Sequence, residues 1–129
     1  MLFLPLAPAL GVFAVQFYSG TVPRLRIPMP TVLATVAQRW ERPLWVDARS
    51  REAYEEGHKE GAVWLNEGSW QEGLPMVLDE WSPGRRVVVY CSSQSCQESQ
   101  AVARRLMEET GWPDIFVLAG GWEQLKGLK

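Results

Sequence analysis

The sequence predicts an α/β fold, in which helices cover both faces of an open, central parallel sheet of about five strands. Short apolar runs at 44–46, 62–65, 86–90 and 114–118 alternate with segments whose apolar residues recur at helical spacing. The run at 86–90 is rich in β-branched residues and apolar on both sides, which is typical of a central strand buried on both faces. The 129 residues suffice for one domain of this kind.

The N-terminal part of the chain is expected to divide into three pieces. Residues 1–18 carry no charged side chain and are strongly apolar. Residues 19–30 form a linker, interrupted by prolines, with at most one short strand at 22–27. Residues 31–129 then form the α/β domain, which begins with a helix that Thr31 caps and Pro43 ends.

The apolar segment 1–18 has two interpretations, a membrane anchor or an arm packed on the domain. Its length is at the lower limit of the roughly 17–25 residues that cross a bilayer, and Pro5 and Pro8 interrupt it. No basic residue precedes it as in a signal peptide. We favour the anchor. The arginines that follow would then hold the α/β domain in the cytoplasm, tethered to the inner face of a membrane.

The elements between 44 and 81 lead to a first set of polar residues. The strand at 44–46 ends at Asp47-Ala48-Arg49, and parallel sheets present functional groups at the carboxyl ends of their strands. Ser50 is expected to cap a helix at 51–56 that Gly57 ends. After the strand at 62–65, apolar residues at helical spacing predict a helix between 70 and 81 that contains Pro75.

The second half of the chain is predicted to contain, in order, a strand, a polar loop, a helix, a strand and a short helix. The strand at 86–90 leads into the loop 91–95, and an amphipathic helix follows and ends at Gly111. A strand at 114–118, a Gly-Gly turn and a helix at 122–126 complete the domain.

Composition excludes several classes of function. The net charge is −2, from 13 basic and 15 acidic residues, and no basic stripe indicates a nucleic-acid partner. Two cysteines and one histidine exclude a four-ligand zinc site built from those residue types alone. We therefore expect neither a metal nor another cofactor.

Cys91 is the residue that the pattern singles out for chemistry. Ser95 and Glu98 form a capping-box pattern that predicts a helix starting at Cys96, with the Cys91 sulfur above the helix N-terminus. Amides of the loop can converge on the same point as an anion-binding nest. Such settings lower a cysteine pKa from about 8.5 to roughly 3.5–7.5. The alternative, a small buried apolar cysteine, is less favoured because the loop is wholly polar.

Three stretches, taken together, resemble the rhodanese-like domain between about Pro43 and Lys126. They are Val46-Asp47-Ala48-Arg49 with Gly57-His58-Lys59-Glu60-Gly61-Ala62, then Val88-Val89-Tyr90-Cys91, and finally Val117-Leu118-Ala119-Gly120-Gly121-Trp122. The resemblance implies an open α/β fold around a parallel sheet. It also implies that Cys91 carries sulfane sulfur as a persulfide.

The remaining candidate residues are expected to bind the substrate or to support the site. Backbone amides of the active loop would bind the substrate: Ser92, Ser93, Gln94, Ser95, Cys96 and Gln97. Asp47, Arg49 and His58 would support the site. The loop from Ser92 to Gln97 has no Lys or Arg, which favours a persulfide or polysulfide donor over thiosulfate. Gln97 also stands where phosphatases of this fold carry the arginine that holds phosphate, which excludes that activity.

The leading hypothesis is a sulfurtransferase whose partners are a small sulfur-donor anion or persulfide and an acceptor thiol or cyanide. Two alternatives stay open: a thiol–disulfide redox module that uses Cys91 and Cys96, and a non-catalytic interaction domain. For Cys96 itself we favour packing beneath the loop over the role of a resolving thiol, because a disulfide needs Cα atoms within about 7 Å.

Overall fold

The computed structural model describes residues 27–93 and 97–128. The strands are β1 (Thr31–Val32), β2 (Leu44–Asp47), β3 (Val63–Trp64), β4 (Val87–Tyr90) and β5 (Ile115–Leu118). The helices are α1 (Ala34–Ala37), α2 (Arg51–Glu56), α3 (Trp70–Glu80), α4 (Glu98–Thr110) and α5 (Trp122–Lys126), with a 3-10 helix at Glu67–Ser69 before α3.

The strands form one parallel sheet in the order β1-β5-β4-β2-β3. The predicted α/β class is therefore confirmed, and β4 is central and buried along its whole length. Asp47 pairs with Tyr90 at the carboxyl ends of β2 and β4. Because all strands run in the same direction, Cys91 emerges at the same edge of the sheet as Ala48 and Arg49.

The core has one layer on each face of the sheet. Successive side chains of β4 point to opposite faces, so Val89 and Cys91 pack in one layer and Val88 and Tyr90 pack in the other. Residues of α3 and α4 fill the first layer, whereas residues of α1 and α5 fill the second. Helices therefore cover both faces of the sheet, as predicted.

The start of the domain differs from the prediction. Thr31 does not cap a helix; Thr31 and Val32 form an edge strand that pairs with Val117 and Leu118. Helix α1 begins at Ala34 without a side-chain cap, because its N-cap residue, Leu33, has no side-chain oxygen that could accept a hydrogen bond from the helix amides. The pairing of β1 with β5 overrides a local pattern that favoured a helix.

Helix α4 also begins later than predicted. Its N-cap is Gln97, without a side-chain hydrogen bond, and its first residue is Glu98 instead of Cys96. This start places Ser99 on the buried face with Val102, Ala103 and Leu106. Ser99 therefore faces Cys91, and Ser95, the predicted cap, lies outside the described residues.

The interpretations of the segment 1–18 and most of the predicted strand at 22–27 fall outside the described residues. Within residues 27–93 and 97–128, no helix is long and apolar enough to cross a bilayer.

Candidate active site

Cys91 lies directly after β4 and is 2% exposed. Its sulfur is 3.3 Å from the hydroxyl oxygen of Ser99, which can donate a hydrogen bond to it. Its carbonyl oxygen accepts a hydrogen bond of 2.7 Å from the amide of Trp122. Cys91 is disulfide-bonded in this structure. The sequence has one other cysteine, Cys96, which lies outside the described residues.

Ser99 was not predicted as a site residue, although a signal for it exists. It is a polar residue on the buried, otherwise apolar face of α4, which also carries Val102, Ala103 and Leu106, and it is 3% exposed. A buried hydroxyl needs a hydrogen-bond partner. The sulfur of Cys91 is such a partner, so the position of Ser99 on this face points to the site.

The structure describes only the two ends of the loop whose amides are predicted to form the anion-binding nest. Ser92 and Gln97 are exposed and Ser93 is half-buried. Gln94, Ser95 and Cys96 lie outside the described residues. Anion binding by the loop amides therefore stays a prediction.

The Gly-Gly turn before α5 lies directly against the active loop. Gly121 has φ 63°, and a Cβ atom built there would lie 2.5 Å from the Cys91 carbonyl oxygen and 3.0 Å from the Ser93 nitrogen. Only glycine fits at this position, because both the conformation and the approach of the two backbones exclude a side chain. The turn thus supports the backbone that carries the Cys91 sulfur.

Asp47 and Arg49 form a buried, bidentate ion pair. The Arg49 guanidinium donates from Nη2 to Asp47 Oδ2 at 2.7 Å and from Nε to Oδ1 at 3.0 Å, and also donates to the Gly57 carbonyl at 2.6 Å. Asp47 is 0% exposed and Arg49 5%. Burial lowers the pKa of Arg49, but the hydrogen bond and charge of Asp47 outweigh it and hold that pKa above its ordinary value.

Tyr90 and Trp122 complete this buried network behind the active loop. The Tyr90 hydroxyl donates to Asp47 Oδ2 at 2.9 Å and accepts from the Lys59 amide at 3.1 Å. The Arg49 guanidinium lies 4.5 Å above the centre of the Trp122 ring, which stacks on Tyr90 at 5.8 Å. Burial raises the pKa of the Tyr90 phenol. The network joins the residue before Cys91 to α5.

Asn66 ties the end of β2 to the start of α4. Its side-chain amide donates to the carbonyls of Ala48 and Arg49 at 3.0 and 3.2 Å, and lies 3.3 Å from Glu98 Oε2. Sequence reasoning missed this residue, because its partners are 17 to 32 residues away along the chain. It helps to hold the helix that presents Ser99.

His58 is exposed and makes local contacts. Its Nδ1 lies 2.7 Å from the Tyr54 carbonyl oxygen, and its ring stacks on Tyr54 at 3.8 Å. The Tyr54 hydroxyl in turn donates to the Ala62 carbonyl. These contacts join α2 to the loop before β3. Throughout the described ranges, no cluster of three or more His, Cys, Asp or Glu could hold a metal ion.

A groove of about 810 Å³ opens beside Ser99. Its described lining combines the ends of the active loop, the start of α4, the ends of β1 and β5, and parts of α1 and α5. None of these lining residues is charged: Thr31, Leu33, Ala34, Thr35, Ser93, Gln97, Ser99, Gln100, Val117, Leu118, Ala119, Gly120, Gln124 and Leu128. A substrate that reaches the sulfur through this groove meets apolar, hydroxyl and amide groups.

Comparisons with known proteins agree with this geometry. Residues 33–128 match the family model of the rhodanese-like domain. The chain is 31% identical over 81 residues to the tRNA uridine(34) hydroxylase of Yersinia enterocolitica and 28% identical to that of Sodalis glossinidius. These alignments cover 60% of this chain but only 22% of each relative, so the chain spans about a fifth of the curated relatives it matches.

Two solved structures show the same fold. The BH2092 protein of Bacillus halodurans superposes with a TM-score of 0.60 at 20% identity, covering 91% of this chain and 82% of that one. Thiosulfate sulfurtransferase from Pseudomonas aeruginosa superposes with a TM-score of 0.59 at 22% identity, covering 83% of this chain and 20% of that one. With its parallel sheet, its cysteine at the end of the central strand and its match over residues 33–128, the chain belongs to the rhodanese-like domain family.

Proposed function

We propose that the protein is a sulfurtransferase in which Cys91 carries the transferred sulfur. The observation that carries this proposal is the Cys91 sulfur at the carboxyl end of β4, 3.3 Å from the buried Ser99 hydroxyl. A hydroxyl that donates to the sulfur stabilises negative charge there, and thiolate chemistry needs that charge.

The reaction consists of two displacements at sulfur. The reduced Cys91 thiolate attacks the sulfane sulfur of a persulfide or polysulfide donor; the donor S–S bond breaks, and its electron pair leaves on the donor thiolate. An acceptor thiolate then attacks the outer sulfur of the Cys91 persulfide, and the electron pair returns to Cys91. Atoms and electrons balance without an external oxidant, because sulfane sulfur moves from one thiolate to another.

The surrounding charges favour a persulfide or polysulfide donor over thiosulfate. Arg49 is buried against Asp47, and Arg105 pairs with Glu67 and Glu109. Glu98 adds a negative charge at the start of α4. A thiosulfate dianion would therefore meet little Coulomb attraction from the described part of the chain. Binding of tRNA also needs basic side chains that can pair with phosphates. Because such side chains are scarce around the described part of the site, we do not propose an activity on tRNA like that of the named relatives.

Mass spectrometry of the intact protein tests this proposal. After reduction and removal of the reductant, incubation with polysulfide should add sulfur to Cys91, and an acceptor thiol should remove it. Cys91→Ser should abolish both the mass gain and the transfer to cyanide. Unchanged turnover in Cys91→Ser would refute the proposal.

A second candidate function, a thiol–disulfide redox module, has one specific observation in its favour. Cys91 is disulfide-bonded in this structure. In a redox module, Cys96→Ser would abolish exchange with a dithiol substrate. In a sulfurtransferase, Cys96→Ser keeps transfer and removes only the need for prior reduction. Measuring both activities in this variant separates the two functions.

A further inference from the structure

We propose that the groove beside Ser99, whose described lining residues are all uncharged, binds the sulfur acceptor, and that this acceptor is a cysteine within an extended, uncharged peptide segment. The inference rests on the proposed sulfur transfer and names its acceptor class. The groove adjoins the Cys91 sulfur, because Ser99 both contacts that sulfur and lines the groove.

Burial of Cys91 restricts how an acceptor can approach. With Cys91 at 2% exposure, a bulky body cannot reach the sulfur, and the acceptor thiol must stand at the end of a slender side chain. A volume of about 810 Å³ lies within the range of sites that enclose ligands much larger than thiosulfate or cyanide. The groove therefore holds the body of an acceptor whose thiol projects toward Cys91.

The chemistry of the groove separates a peptide cysteine from free cysteine. Free cysteine carries an ammonium and a carboxylate a few bonds from its thiol, and charged groups lose hydration when they enter an uncharged groove. Within a peptide the same positions are amides, which hydrogen-bond to side-chain amides such as those of Gln97 and Gln124. The apolar side of the groove includes Leu33, which is 61% exposed and offers a contact for a neighbouring apolar residue.

Single-turnover transfer from persulfide-loaded protein to a set of acceptors tests the inference. The acceptors are a blocked peptide with uncharged flanks around one cysteine, the same peptide with Asp flanks or with Lys flanks, N-acetylcysteine amide, and free cysteine. The uncharged peptide should react at least about tenfold faster than either charged peptide and than free cysteine. It should also be faster than N-acetylcysteine amide, because the groove binds more than one residue. Equal rates for all acceptors would overturn the inference.

A charge introduced into the groove provides the second arm. Gln124→Lys should speed transfer to the Asp-flanked peptide and slow transfer to the Lys-flanked one. Gln71→Lys is the matched control, because Gln71 is exposed on α3 and lines a separate cleft with Glu67 and Arg105; it should change neither rate. No change of preference in Gln124→Lys would overturn the groove assignment. Failure of the sulfurtransferase function is distinguishable, because Cys91 would then not load with sulfur in any variant.

Discussion

The amide nitrogen of Trp122 lies 2.7 Å from the carbonyl oxygen of Cys91. This hydrogen bond joins the start of α5 to the residue that we propose carries the sulfur, and the preceding Gly121 packs against the same carbonyl. The geometry of the active loop therefore depends on the Gly-Gly turn, 30 residues further along the chain. Single substitutions can test this dependence.

Gly121→Ala should disrupt the active loop. The new Cβ would approach the Cys91 carbonyl oxygen and the Ser93 nitrogen closer than van der Waals contact allows, so the loop must move. We expect sulfur transfer to fall by at least about tenfold. Gly84→Ala is the matched control, because Gly84 also has positive φ (88°) but a Cβ atom built there would have no other atom within 4 Å. Both variants should lose stability, of the order of 1 kcal/mol from backbone strain, but only Gly121→Ala should lose activity. Comparable turnover in the two variants would contradict this account.

Ser99→Ala should make the reduced Cys91 thiolate harder to form. Hydrogen bonds to charged groups contribute about 1.5–3 kcal/mol, so the rate of alkylation should rise with pH at a higher midpoint than in the wild type. Ser99→Thr keeps the hydroxyl and should restore much of the wild-type profile. Ser82→Ala, in an exposed turn, serves as the control. An unchanged alkylation profile in Ser99→Ala would show that Ser99 only packs against the sulfur.

Tyr90→Phe should destabilise the fold by about 1–3 kcal/mol at neutral pH, because Asp47 loses a buried donor and the Lys59 amide loses its acceptor. Burial holds the pKa of Tyr90 above its ordinary value of 10.0, so the folded state keeps a phenolic proton that the unfolded state releases at high pH. The contribution is thus complete below pH 10 and is lost as the pH rises above it.

Urea unfolding at neutral pH and above pH 10 measures this effect. The stability difference between wild type and Tyr90→Phe should shrink at the higher pH, while titrations common to both proteins cancel. A difference that is constant across this range would mean that the Tyr90 proton is not held more tightly in the folded state.

Ser93→Arg should lower the KM for thiosulfate. It adds a guanidinium to a loop that has no Lys or Arg from Ser92 to Gln97, and Ser93 lines the groove. The gain should weaken as salt is raised, because dissolved ions screen the Coulomb attraction between the guanidinium and the thiosulfate dianion. Steady-state kinetics at low and high salt measure both effects, with polysulfide as the comparison donor. A KM for thiosulfate that does not respond to Ser93→Arg would mean that charge does not limit donor choice.

The sequence alone determined the parallel sheet, the central position of β4 and the placement of Cys91 at its end. These features depend on local patterns: the apolar run 87–90 is too long and too β-branched for a turn, and a run of polar residues directly follows Cys91. Asp47 and Arg49 were found for the same reason, because they come directly after an apolar run along the chain.

Only the tertiary structure decided which side chains meet. Thr31 and Val32 form a strand because β5 offers them a partner, although their local pattern favours a helix. The Tyr90 hydroxyl and Asp47 meet across 43 residues of sequence, and Gly121 meets the Cys91 loop only because the preceding strand β5 pairs with β4. Pair contacts of this kind depend on strand order and register. Composition and periodicity describe one element at a time, and they do not indicate which other element will lie beside it.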